Sequence, residues 1–195
     1  MPAGSAAVGH PGAVLAAFDA VLHGARAGEA RAFQALYDDL APPVAAYLRG
    51  RGLADVEDVV SEVFLAVFHG LARFSGGQSD FRSWVFTIAH RRLVDEWRKS
   101  GRAPQLVPWE AETDQRTSGS AEESALVVLG EARVRSLLGA LSDEQRAVLL
   151  LRILGDLTIE QIADALGKRV GAVKALQRRG LIVLRRTLES EGVPL

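Results

Sequence analysis

Seven cationic side chains stand between Lys168 and Arg186 with no acid among them: Lys168, Arg169, Lys174, Arg178, Arg179, Arg185 and Arg186. The whole chain balances 23 Lys and Arg against 24 Asp and Glu, a formal net charge of −1, so this run is a matter of segregation and not of excess. Surfaces that serve only solubility mix their signs. A run of one sign suits a polyanion, because each phosphate neutralised releases condensed counterions. The chemistry on offer here is phosphate and base recognition, not bond making.

The preceding residues supply a scaffold for it. In TIEQIADALGKRVGAVKALQRR, Thr158 with Gln161 forms a capping-box pattern ahead of Ile159, Ile162, Ala163 and Leu166, and Gly167 stands where a turn would be. This is the grammar of a helix-turn-helix. At 100° per residue, Lys174, Arg178 and Arg185 fall within about 40° of one another, with Arg179 and Arg186 beside them. Val173, Leu176, Gly180, Leu184 and Leu188 share the opposite side; Ile182 is an exception on the basic side. Residues near the start of such a helix reach base edges in the major groove, a role that suits Arg169, Lys174, Arg178 and Arg179. Lys168, Arg185 and Arg186 suit backbone contacts. A solvated charged face on a terminal helix is the blander alternative.

Three more segments are charge-segregated. Phe81 to Arg102 carries six cations against Asp95 and Glu96, net +4. Asp55 to Glu62 carries four acids and no base, and Glu110 to Glu123 carries five acids against Arg116. Two basic and two acidic segments imply two polyanion contacts and at least one protein contact. Catalytic patterns are absent from the sequence. There is no cysteine, His10, His23, His69 and His90 lack ligand spacing, GGQS lacks the lysine of a phosphate-binding loop, and there is no GxSxG. No enzyme activity, metal or cofactor is expected. The start of the chain lacks the basic region of a signal peptide, and no apolar run approaches the ~20 residues of a membrane span. A cytoplasmic protein without membrane insertion is expected.

The elements that must position these residues are helical almost throughout. Leu15, Phe18, Val21 and Leu22 give one stripe, and Phe33, Leu36, Tyr37 and Leu40 another. Pro42-Pro43 is expected to end that helix and open a new one bearing Val44, Tyr47 and Leu48. Asp55 is expected to cap a helix bearing Val59, Val60, Val63, Phe64, Val67, Phe68 and Leu71, and Asp80 the long helix with Trp84, Val85, Ile88, Leu93 and Trp97. The pattern dissolves near Ser100 to Ser120 into proline, glycine, serine and acids, which is linker composition. It resumes near Glu123 with Leu126, Leu129, Val134, Leu137 and Leu138, and Ser142 with Gln145 forms another capping box. The expected fold is all-α: a leader and the start of the first helix (1–24), a first domain (25–102), an acidic linker (103–122), and a second, helix-turn-helix domain (123–195).

The order and spacing of ARAGEARAFQALYDDLAPPVAAYL, DVEDVVSEVFLAVF, FSGGQSDFRSWVFTIAHRRLVDEWRK and LSDEQRAVLLLRILGDLTIEQIADALG resemble the extracytoplasmic-function (ECF) group of bacterial sigma factors. The resemblance covers roughly Ala25 to Arg102 and Leu137 to Leu188. It implies a specificity subunit that binds core RNA polymerase and directs initiation at promoter DNA with −35 and −10 elements. It implies that Asp58, Glu62 and Phe64, with Glu57 beside them, bind the largest polymerase subunits. It implies that Phe81, Arg82, Trp84, Arg91, Arg92, Asp95, Trp97, Arg98 and Lys99 read and melt the −10 element, and that the helix-turn-helix residues above read the −35 element. Stacking of unpaired bases on aromatic and guanidinium planes fits such a role, although tryptophan at helical spacing is core more often than not. An anti-sigma factor is a further implied partner. The chain departs from the family's pattern at Ser61, at Arg91, and at Ala175-Leu176. A helix-turn-helix regulator that needs no polymerase, and an interaction module that binds no DNA, are the competing readings.

Overall fold

Apolar residues at three- and four-residue spacing dictate helices, and the computed structural model of the protein is built from them. It describes residues 11–101 and 132–191, with side chains from residue 18 onward. In chain order the elements are α1 (Pro11–Arg26), α2 (Ala30–Gly50), α3 (Glu57–Gly70), a 3-10 turn (Leu71–Arg73), α4 (Gln78–Lys99), α5 (132–139), α6 (Asp143–Ile153), α7 (Ile159–Leu166) and α8 (Val170–Ser190). The expected leader, most of the expected linker, and the periodicity at Glu123, Leu126 and Leu129 lie outside the described residues.

The first half packs around α4. Phe81, Val85, Phe86, Ala89 and Leu93 line its buried side. Against it lie Phe18 and Leu22 of α1, Val44, Tyr47 and Leu48 of α2, and Val59, Val60, Val63 and Val67 of α3. Fully burying side chains of this size stabilises by roughly 1.5–3 kcal/mol each.

Two expected boundaries are corrected. Pro42 and Pro43 do not divide α2, which runs unbroken from Ala30 to Gly50. Each proline removes a helix hydrogen bond, at a cost of about 3 kcal/mol or more in an ordinary helix interior. Burial of Leu36, Leu40, Ala41, Val44, Tyr47 and Leu48 along one continuous face offsets it, while Pro42 and the flanking Asp38 and Asp39 face solvent. Asp55 does not cap α3. The helix starts at Glu57 with Val56 before it, because Val56 is drawn fully into the core. Asp80 caps from within: α4 begins at Gln78, and the Asp80 carboxylate accepts the Gly77 N–H at 3.0 Å. A carboxylate reaching back from the third helical position satisfies the same orphan donor that a capping side chain would.

In the second half both capping boxes form. Ser142 and Gln145 exchange hydrogen bonds of 3.0 and 3.3 Å, and Thr158 and Gln161 exchange bonds of 2.9 and 3.2 Å. Gly167 ends α7 at φ +62°, a left-handed conformation that a residue without Cβ adopts freely. The two halves are not apart. Val148, Leu150, Leu151, Leu157, Ile162 and Ala163 belong to the same buried cluster as Phe81, Val85, Phe86 and Ala89. The first helix of the helix-turn-helix lies on α4.

Candidate nucleic-acid and protein interfaces

The basic face of α8 is built by its opposite face. Val173, Leu176 and Gly180 are buried, and Gly180 lets the helix approach Leu149 so closely that a Cβ would sit 2.8 Å from a Leu149 methyl. That docking turns Arg169, Lys174, Arg178, Arg179, Arg185 and Arg186 outward, and all six are exposed. Lys168 is half-buried and pairs with Glu144 of α6. The Arg179 Nε–H donates to the Ala175 carbonyl. Among the described residues none of those six exposed cations forms a salt bridge with a carboxylate. Leu181 and Ile182 are exposed on the same helix, so Ile182 does stand out of register.

The residues expected on α4 have different fates. Arg91, Asp95, Arg98 and Lys99 are exposed. Arg98 lies 3.5 Å from Asp95 and Lys99 3.3 Å from Glu96. Arg92, half-exposed, lies 3.6 Å from Glu62 of α3. Trp84 is half-buried and stacked on Phe74 at 5.1 Å, and Trp97 lies under the Arg51 guanidinium at 5.0 Å. Phe81 requires correction as a base-contacting residue. It is 1 % exposed, enclosed by Phe18, Phe74 and Trp84 at 5.7, 5.3 and 5.8 Å, and offers no ring face to a base. Arg82 is occupied: it donates to Asp39 at 3.1 Å and to the carbonyls of Gly155 and Leu154 at 3.2 and 3.3 Å.

On α3, Glu57, Asp58 and Glu62 are exposed, and Glu57 pairs with Arg49 at 2.8 Å. Phe64 requires the same correction as Phe81. It is 4 % exposed and packed on Tyr37 at 4.6 Å. The apolar residues beside the acids are instead Leu65 and Phe68, 56 % and 52 % exposed. Their positions, three and six residues beyond Glu62, put them on the acidic side of the helix. The 3.6-residue period held this signal, but the apolar stripe read from it took in Phe68 and left out Leu65.

A second residue missed from sequence is Arg51. Its side chain is only 2 % exposed, and it donates to Asp143, the first residue of α6, at 2.9 Å. Nothing in RGRG marks a buried cation. Nearby, the Tyr47 hydroxyl and His90 Nδ1 lie 2.9 Å apart. Burial pushes the Tyr47 phenol up to about 12. Burial, seconded by the Arg51 charge, pulls the His90 imidazole down to about 4, so it is neutral at pH 7.

The chain carries an exposed basic face on α8 and a separate acidic helix, α3, and comparison with known proteins gives that combination a family. Sigma-70 region 2 matches residues 36–103, and Sigma-70, region 4 matches residues 131–184. The ECF RNA polymerase sigma factor SigD of Mycobacterium tuberculosis is 33% identical over 184 residues, which cover 89% of this chain and 85% of SigD. The chain belongs to the ECF sigma factors. SigL of the same species is 36% identical over 176 residues, 87% of this chain and 96% of SigL. BldN of Streptomyces coelicolor is 32% identical over 170 residues, covering 86% of this chain but 64% of BldN. Among solved structures, CnrH in complex with the cytosolic domain of CnrY is similar at a TM-score of 0.62 and 28% identity, covering 89% of this chain and 98% of that one. In this sigma factor α2 to α4 carry the region 2 match, with α1 ahead of it, and α5 to α8 carry the region 4 match. No helix among the described residues is long and apolar enough to cross a membrane.

Proposed function

We propose that this sigma factor divides promoter-specific initiation among three surfaces, in domains close to residues 25–102 and 123–195. The α8 face, through Arg169, Lys174, Arg178 and Arg179 with Lys168, Arg185 and Arg186 on phosphates, reads the −35 element. Arg91, Arg92, Arg98 and Lys99 of α4, with Trp84, Trp97, Asp95 and Arg82 around them, engage the −10 element. Glu57, Asp58 and Glu62 of α3, joined by Leu65 and Phe68, hold the core polymerase. The observation that carries this reading is the contrast of faces: five exposed cations on α8 and Arg169 at its N-cap, with no carboxylate partner among the described residues, against an α3 surface that is acidic with an apolar edge. A phosphate backbone would be repelled by the second and a polar solvent shell alone does not require the first.

Strand opening is driven by binding energy, and nucleotide transfer belongs to the polymerase, so this chain performs no catalysis of its own. It works in the cytoplasm, where the polymerase is, and an anti-sigma factor is a further partner. A regulator acting without polymerase is not favoured, because the matches to regions 2 and 4 together span most of the described residues. The test is runoff transcription with core polymerase on a promoter library, with and without this protein. Added, template-selective initiation is expected; no added initiation on any template overturns the reading. Asp58→Lys with Glu62→Lys is expected to abolish core binding in a pull-down while leaving the affinity of the chain for duplex DNA unchanged.

A further inference from the structure

Two helix faces of opposite charge share one spacing. On α3 the exposed stripe is Asp58, Glu62, Leu65 and His69; on α8 it is Lys174, Arg178, Leu181 and Arg185. Both follow the steps i, i+4, i+7 and i+11. At 100° per residue such positions stay within about 60° of arc over a length of about 16 Å. The two leucines are about half exposed, Leu65 at 56 % and Leu181 at 49 %. Among the described residues Asp58, Lys174, Arg178 and Arg185 form no salt bridge, and Glu62 has only Arg92, at 3.6 Å. In the folded chain both stripes face solvent.

Laid side by side and parallel, the stripes match position for position. Asp58 meets Lys174, Glu62 meets Arg178 and Leu65 meets Leu181, while His69 beside Arg185 adds no attraction. Laid antiparallel, Glu62 would face Leu181 and Arg178 would face Leu65, so the pattern of charge selects the parallel direction. Phe68 and Ile182, 52 % and 41 % exposed, agree with it. They stand about 80° to opposite hands of Asp58 and Lys174, and facing parallel helices bring opposite hands to the same flank. Exposed ion pairs are weak singly, so the charges set direction and register and the leucines and their flank supply the apolar burial. A formal net charge of −1 leaves little overall repulsion between copies.

We propose that copies of this chain associate head to tail, the α3 stripe of one copy lying parallel on the α8 stripe of the next. The two stripes are different surfaces, so the contact is heterologous: it closes into a ring of two or more copies or runs on as a chain. Two helices meeting over about three turns bury less than the ~1,200 Å² of a standard interface, so the contact is weak and grows with protein concentration. It covers surfaces given above to the polymerase and to the −35 element, and an assembled copy is therefore a stored one. That consequence rests on the functional reading; the contact itself does not.

Sedimentation velocity of the full-length protein from about 5 to 200 µM, a range that brackets weak contacts, tests this. At low salt the weight-average sedimentation coefficient is expected to rise with concentration, and to return to the monomer value when salt is raised about tenfold. Asp58→Lys with Glu62→Lys, and Lys174→Glu with Arg178→Glu, are each expected to stay monomeric with an unchanged circular-dichroism signal. An equimolar mixture of the two is expected to regain the wild-type rise, because each reversed stripe then meets an opposite one. Register is read by disulfide exchange in a glutathione buffer, in a chain that has no cysteine of its own. Leu65→Cys mixed with Leu181→Cys is expected to link at least fivefold faster than Leu65→Cys mixed with Lys174→Cys, whose sites would stand about 10 Å apart along the axis. A wild type that is monomeric at the highest concentration and low salt overturns the proposal and leaves both faces to other partners. So do reversed variants that associate like the wild type, a mixture that stays monomeric, or equal rates of linking. Runoff transcription reads a separate property: association without runoff keeps the contact and removes the storage role, and runoff without association removes the contact and keeps the functional reading.

Discussion

The two basic helices of this sigma factor present opposite solutions to carrying charge. On α8 the five cations face outward and, like Arg169 at its N-cap, meet no carboxylate among the described residues. On α4 nearly every cation has a companion: Arg82 has Asp39 and two carbonyls, Arg92 has Glu62, Arg98 has Asp95, and Lys99 has Glu96. The difference suits the two forms of the promoter. A duplex is present before any polymerase arrives and needs only an electrostatic and groove-reading face. Unpaired bases appear only during initiation, and a helix with companions for its charges stays quiet until then. Exposed ion pairs of this kind are worth about 0–1 kcal/mol each, weak enough to be exchanged for phosphates.

The contrast can be broken most directly at Phe81. If α4 is first a core helix and only then a DNA surface, Phe81→Ala destabilises the protein by about 3–5 kcal/mol in urea denaturation. Unchanged stability with a loss of single-strand affinity would instead place the ring on a base. The next largest effect belongs to α8. Lys174→Ala with Arg178→Ala is expected to reduce initiation by polymerase holoenzyme 10- to 100-fold on any template it transcribes, to lower the salt slope of promoter binding by about 2, and to leave unfolding unaltered. A stability change there would mean that the two side chains pack as well as bind.

The smallest effect separates the halves by pH. His90 sits on α4, partly buried and neutral, facing the Tyr47 hydroxyl with Arg51 nearby and Asp143 beyond it. Its value falls from 6.5 in the unfolded chain to about 4 when folded. The unfolded state therefore binds the extra proton, and stability present above pH 6.5 is lost as pH falls toward 4. Between pH 7 and pH 5 the loss is about 2 kcal/mol, and His90→Gln is expected to remove most of it. The duplex affinity of the α8 face has no such imidazole and should not follow the same curve.

Local order was legible because its causes are local. The capping boxes at Ser142 and Thr158 and the left-handed Gly167 each follow from residues within one turn. So did the apolar side of α8, read by period alone. Where the outcome depends on distant partners, reading failed. Pro42-Pro43 signals a break, but the continuous buried face of α2 from Leu36 to Gly50 overrides it. Phe64 and Phe81 have the type expected of docking residues, yet their surroundings, Tyr37 for one and Phe18, Phe74 and Trp84 for the other, come from elsewhere in the chain. Arg51 had no signal at all, since its partner Asp143 is 92 residues away.

Besides the Asp39 carboxylate, Arg82 is received on the α6–α7 turn by the main-chain oxygens of residues 154 and 155, with no side chain of that turn involved. Every amino acid supplies the same carbonyl, so substitutions at Leu154 leave that grip chemically untouched. Lineages of this protein can tune it only by shifting where the turn rests, through the close packing of Gly155 on Leu157 and the Leu151 carbonyl, or by altering Asp39. Drift in the turn's own sequence is therefore silent toward Arg82, while a single added methyl at Gly155 is heard.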